Sequence, residues 1–178
     1  DLGSGAGTDV FVAALAVGQA GGGTGLDMTD EPLEKARTLR DEAGFDDVSF
    51  EQGYIEDLPF DDGTFDVVIS NGVINLSSDK ATVFAEANRV LRPEGRLAIS
   101  DIISEQQMPE SIKTNEDLWA ACIGGAAQID RYTSTIESAG FEVSDVRDNT
   151  QYEFISDQAA NACQKYGVKS ISLAARKE

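Results

Sequence analysis

The sequence contains no histidine. That excludes His-dependent nucleophile triads and metal sites built on imidazole. It has two cysteines, Cys122 and Cys163, too few for a disulfide framework. There is no signal peptide and no apolar run of membrane length, so the chain reads as soluble and cytoplasmic. Basic residues are also scarce: 14 Lys and Arg stand against 32 Asp and Glu, for a formal net charge of -18. Such a surface repels nucleic acid phosphates and anionic lipid, so neither nucleic acid nor membrane is an expected partner. The acids are dispersed, as at Asp41-Glu42 and Asp61-Asp62. Dispersed acid with little Lys reads as adaptation to a high-salt cytoplasm, where self-repulsion is screened.

What the chain does have is a glycine-rich turn at its start, Asp1-Leu-Gly-Ser-Gly-Ala-Gly-Thr-Asp9. It reads as the end of a buried strand, a tight turn, and the start of a helix carrying Val10, Phe11, Val12 and Leu15. Gly3, Gly5 and Gly7 let a ligand lie against bare main chain. The following helix presents unpaired N–H groups and the positive end of its dipole. A nucleotide-like or anionic ligand is therefore expected at this turn. Thr8 occupies the place of the third glycine in a dinucleotide fingerprint, and no Lys follows to complete a phosphate loop. A second acid, Asp27, lies about 20 residues beyond the last glycine, at the end of a second strand, where a carboxylate can hold both hydroxyls of a ribose. The chain opens on Asp1, inside what should be its first strand, without an initiating Met; upstream sequence is expected.

The remaining pattern alternates strand and helix. Residues 10–17 form a helix ended by the glycine run at 18–23, and 24–27 form a strand. A helix runs from an N-cap at Thr29 to about residue 43, with Leu33, Ala36 and Leu39 on one face, and Gly44 stops it. Residues 48–50 are a short strand. Residues 64–70 hold an unbroken Val67-Val68-Ile69 core, expected of a parallel strand buried on both faces. It ends at Asn71-Gly-Val-Ile-Asn75, and the carboxyl ends of such strands are where open α/β sheets bind ligands. A helix over 80–91 and a strand over 97–101 follow. Residues 109–127 read as a helical insertion containing Leu118, Trp119, Cys122 and Ile123, and 131–139 as another helix stopped by Gly140. Strands at 141–146 and 170–175 flank a helix at 156–166.

The glycine turn with Asp27 resembles the class I S-adenosylmethionine-dependent methyltransferases, and the run EANRVLRPEGRLAISD resembles their helix–turn–strand. The resemblance implies an α/β fold: a Rossmann-like three-layer sandwich with a mostly parallel seven-stranded sheet and an antiparallel C-terminal edge hairpin. The chain is then one domain over 1–178, with a cofactor-binding half at 1–101 and the insertion and hairpin at 102–178. The implied cofactor is S-adenosyl-L-methionine. Asp1 would orient its amino group, and Gly3, Gly5 and Gly7 would admit its methionine portion. Asp27 would hold the ribose, with Met28 also in the cofactor site, and Ile55 and Glu56 would frame the adenine; alone, Glu56 reads equally as part of a solvated acidic loop. Ser70, Asn71 and Asn75 would lie beside the sulfonium and the incoming acceptor, a small molecule.

Three segments, LDMTDEPLEKAR, VISNGVINLSSDK and DLWAACIGGA, resemble arsenite methyltransferases. Trivalent arsenic is thiophilic and is held by two or three thiolates. In that family one thiol lies in the loop after the fourth strand, where this chain has Gly72. Another lies in the segment that holds Cys122, and a third near the amino terminus, upstream of Asp1. One thiol is a poor arsenic site, so the preferred reading of Cys122 is a small helix residue packed beside Trp119. Asp101 reads either as a base for an oxygen or nitrogen acceptor or as a strand-end cap. No metal is implied. The alternatives are a non-catalytic S-adenosylmethionine-binding protein, which Gly72 motivates, and an NAD-dependent oxidoreductase, which Thr8 argues against.

Overall fold

The computed structural model describes residues 1–18, 21–109, 112, 123–154 and 157–178. The expectations for Leu118, Trp119 and Cys122 lie outside the described residues. The chain folds as two compact units, Asp1–Pro59 and Phe60–Glu178.

In the first unit, helix α1 (Thr8–Val17) follows the glycine turn, strand β1 spans Gly23–Asp27, α2 spans Asp30–Ala43 and β2 spans Val48–Gln52. Strands β1 and β2 pair in parallel, and Leu2 adds a parallel bridge to Leu26. The core gathers Val10, Leu33, Ala36, Val48 and Phe50, with Phe11, Ala14 and Phe45 against it. Leu33 and Ala36 are three residues apart, the spacing that puts side chains on one helix face. The same spacing does not bury Leu39, which is 38% exposed, so the expected apolar stripe is narrower than the periodicity suggests. Thr29 occupies the N-cap of α2 without donating or accepting a side-chain cap bond, and Gly44 closes the helix in the left-handed region at φ 71°.

The second unit holds β3 (Phe65–Asn71), α3 (Lys80–Val90), β4 (Leu91–Ser104), β5 (Ala127–Gln128), α4 (Ile129–Ser138), β6 (Phe141–Asp148), α5 (Asp157–Tyr166) and β7 (Lys169–Lys177). The strand order is β3-β4-β7-β6, with β5 also on β4. Pairs β3/β4 and β4/β5 are parallel, while β4/β7 and β6/β7 are antiparallel. The α/β character holds, but the seven described strands form a two-stranded and a mixed five-stranded sheet, not one mostly parallel sheet. The C-terminal strands β6 and β7 form the expected antiparallel pair at the sheet edge, with β6 outermost and β7 against β4.

Other departures have local causes. Strand β4 starts well before the expected residue 97. Its pairing slips from Phe65↔Leu91 to Val67↔Arg96, so residues 92–95 bulge out, and Glu94 takes φ 64° there. Val67 is 41% exposed, so β3 is not buried on both faces. Ala127, expected to end the helical insertion, instead extends the sheet with Gln128 beside Ile103 and Ser104.

Candidate functional site

In the first unit the glycine turn is held by main-chain bonds. The Gly3 and Ser4 N–H groups both donate to the Leu26 carbonyl, and Leu26 N–H donates to the Asp1 carbonyl. Gly3, Gly5 and Gly7 all have positive φ, at 70°, 52° and 87°. At Gly7 a Cβ would lie 2.6 Å from Phe50 Cζ, so this glycine serves packing. At Gly5 a Cβ would meet nothing within 4 Å, so the turn has open space at this point.

Asp27 ties this turn to the end of β1. Its Oδ2 accepts from Gly5 N–H at 2.9 Å and its Oδ1 from Thr29 N–H at 2.9 Å. A carboxylate oxygen has two lone pairs, so each retains capacity for a ligand hydroxyl. The end of β2 is pinned nearby: Gly53 N–H donates to the Asp27 carbonyl, and Gln52 Nε2 donates to the Met28 carbonyl at 3.1 Å. Met28 is 65% exposed, while Ile55 and Glu56 are half-buried in the turn that follows. Asp1, Gly3, Gly5, Asp27 and Met28 are thus brought to one edge of this unit. Spacing singled out Asp27 as a ribose ligand; its second role, organising the turn itself, carries no sequence signal.

In the second unit Ser70 is buried and Asn71 exposed at the end of β3, and Gly72 N–H donates to the Ser100 carbonyl at 2.8 Å. Asn75, in the 3-10 turn Ile74–Leu76, is fully buried. Its Nδ2 donates to the Ile102 carbonyl, and its Oδ1 has no partner among the described residues. A Cβ on Gly125 would overlap the Asn75 carbonyl oxygen. The Gly-Gly piece and the loop after β3, two of the resemblance-bearing segments, therefore meet main chain to main chain.

Asp101 lies beneath them, 2% exposed. Its Oδ1 accepts from Ile102 N–H at 2.9 Å and its Oδ2 from the Tyr132 hydroxyl at 3.0 Å. Burial raises its pKa from 3.8 to about 6, against the lowering effect of these donors and of Lys80. Lys80 donates to the Ser77 and Asn75 carbonyls at 2.9 and 3.3 Å, and burial lowers its pKa. Burial, then the charge of Asp101, pushes the Tyr132 phenol well up. Sequence reasoning missed Lys80 and Tyr132, which are separated from Asp101 by 21 and 31 positions; Lys80 ends one of the resemblance-bearing segments but was given no role, and Tyr132 belongs to no motif. Cys163 packs against the apolar cluster of Ile102, Met108, Ile123, Ala126 and Val168, and burial raises its thiol pKa, the setting of an inert thiol.

The Asp101 carboxyl carries a pH prediction. Its folded pKa lies above the unfolded 3.8, so the native state binds more protons than the unfolded chain between about pH 4 and 6, and stability falls as pH rises through that window. Asn at this position keeps an acceptor for Ile102 and a partner for Tyr132 but cannot ionise. The stability of Asp101→Asn relative to wild type should therefore rise by on the order of 2–3 kcal/mol between pH 4 and pH 7. Denaturant melts at both pH values read this difference, and a constant gap would remove Asp101 as its source.

Residues 1–140 match the family described as a methyltransferase domain. The chain is 40% identical over 178 residues to an arsenite methyltransferase of Halobacterium salinarum, covering 99% of this chain and 46% of that protein. It is 43% identical over 148 residues to an arsenite methyltransferase of Aquipseudomonas alcaligenes, covering 79% and 43%. An arsenic(III) S-adenosylmethionine methyltransferase from Chlamydomonas reinhardtii aligns with a TM-score of 0.81 at 33% identity, over 99% of this chain and 62% of that one. The chain spans less than half the length of the first two relatives. It belongs to the methyltransferase domain family, class I and S-adenosylmethionine-dependent, and stands beside the arsenite methyltransferases.

Proposed function

We propose that this chain binds S-adenosylmethionine and carries a methyl transfer to a small molecule, with arsenite the first acceptor to test. The observation that supports this most is the glycine turn tied to Asp27, with open space at Gly5 and unused lone pairs on the carboxylate. These features fit the donor: the turn takes its methionine portion, Asp27 its ribose hydroxyls with Met28 beside it, and Ile55 and Glu56 its adenine, while Asp1 orients its amino group. When bound, the donor supplies an already activated methyl on a sulfonium. The acceptor's lone pair forms the new bond to carbon as the carbon–sulfur bond breaks, its electron pair leaving with sulfur to give S-adenosylhomocysteine. The protein's share is in-line placement and exclusion of water, which needs no histidine.

On the acceptor side we assign Ser70, Asn71 and Asn75 to the carboxyl end of β3, where open sheets take ligands. Asp101 is assigned a positioning role, since both its oxygens are engaged and it is 2% exposed. Cys122 is the remaining thiol of the arsenite pattern. Incubation with donor and arsenite, followed by assay of S-adenosylhomocysteine, tests the activity, and turnover with any acceptor removes the non-catalytic alternative.

Gly72 offers a sharper test of the acceptor. A Cβ there would meet nothing within 4 Å, but φ is 72°. Gly72→Cys is therefore expected to fit while costing about 1–2 kcal/mol for the left-handed backbone. If arsenite is the acceptor, a second thiolate should tighten its binding by roughly tenfold or more, since soft thiolates dominate its affinity. Fluorescence titration with arsenite reads this, and unchanged binding in the folded variant would count against an arsenic site at this loop.

A further inference from the structure

The second unit contains a cleft of about 700 Å³ at the carboxyl end of β4, within the size range of sites for drug-sized ligands. Its charge runs against the rest of the molecule. Lys80 and Arg131 line it, and Asp79 is the one acid among the described lining residues. The Asp79 carboxylate is already engaged, its Oδ1 accepting from Thr82 N–H at 3.1 Å and its Oδ2 from Thr82 Oγ1 at 2.8 Å. The described lining thus carries a net positive charge on a chain of formal charge -18, with the Asp101 carboxyl behind Lys80 and Tyr132.

Two helix starts add to it. Lys80 stands in the first turn of α3 and Arg131 in that of α4, so both dipoles present their positive ends to the cleft. The α4 N-cap, Gln128, makes no side-chain cap bond to the orphan N–H groups behind it. An independent observation points to a ligand. Ser104 is among the lining residues, it is 1% exposed, and its hydroxyl has no hydrogen-bond partner among the described residues. A buried hydroxyl is costly to leave unpaired. Lys80 gives two of its three ammonium hydrogens to the Ser77 and Asn75 carbonyls, so one remains for a ligand. Met108, 3% exposed, supplies an apolar wall.

We propose that this cleft binds a small organic acid. Its carboxylate would pair with Lys80 and Arg131 and accept from Ser104, and its apolar body would lie against Met108. This goes beyond the donor-binding reading and does not rest on it.

The test uses benzoate and its neutral isostere benzamide, titrated calorimetrically at fixed potassium chloride without methyl donor. Benzoate is expected to bind at millimolar or tighter concentration, with benzamide at least tenfold weaker. Arg131→Gln should weaken benzoate at least tenfold, whereas Lys35→Gln, which removes an exposed positive charge from the first unit, should change nothing. Ser104→Ala should weaken benzoate severalfold while leaving the thermal midpoint unchanged or higher, because it removes an orphaned hydroxyl. A purely structural serine would not separate those two readouts. The proposal is overturned by a folded wild type that ignores benzoate, by equal binding of benzamide, or by equal effects of the Arg131 and Lys35 substitutions.

Discussion

Replacing Asp27 by Ala is expected to weaken S-adenosylhomocysteine binding by about a hundredfold or more, equivalent to about 2.7 kcal/mol. The size follows from what the carboxylate does. In the free protein it accepts the Gly5 and Thr29 N–H groups, and with ligand it would also accept ribose hydroxyls. Hydrogen bonds to a charged group contribute about 1.5–3 kcal/mol each, so the variant loses the ligand contact and slackens the turn that shapes the site. A fall in thermal stability should accompany the loss of affinity. Circular dichroism under the titration conditions checks that the variant is folded. Affinity retained within threefold would contradict the assignment.

Gly7→Ala is expected to be strongly destabilising. The new Cβ would lie 2.6 and 2.8 Å from ring atoms of Phe50 and 3.1 Å from Phe11. Phe50 is 4% exposed and wedged in the core, so its ring cannot swing away. Overpacking costs about 1–3 kcal/mol and the left-handed backbone at φ 87° about 1–2 more. The sum of about 2–5 kcal/mol is a large part of a typical domain's stability. Gly5→Ala is the contrast. It shares the positive φ but meets open space, so it should cost only about 1–2 kcal/mol in backbone strain while its methyl intrudes where the donor would lie. Denaturant melts and donor titration together should thus separate the two: stability lost at Gly7, affinity lost at Gly5. Similar melts for both would show that the Phe50 contact is not limiting.

Much of this was legible in the sequence because it is local. The glycine turn, Asp27, the helix ends at Gly44 and Gly140 and the strand around Val68 all follow from short-range pattern. What escaped is set by partners far along the chain. Strand β4 is long because Leu91 pairs with Phe65 before residues 92–95 bulge out, and nothing in that segment reveals the partner. The stripe shared with Leu33 and Ala36 misjudges Leu39 because periodicity gives direction, not depth. Lys80, Asp101 and Tyr132 form one cluster from three elements, which the tertiary fold alone assembles. Met28, Ile55 and Glu56 were named from resemblance, and their side chains carry no pattern of their own.

The most direct measurement of the central claim is a calorimetric titration of the wild-type chain with S-adenosylhomocysteine in molar potassium chloride, which screens its self-repulsion. Gly5→Ala would be titrated in parallel. The account predicts one micromolar site in wild type and its loss in the variant, with both proteins folded. A folded wild type that gives no binding heat, or a Gly5→Ala variant that binds as wild type does, would contradict it.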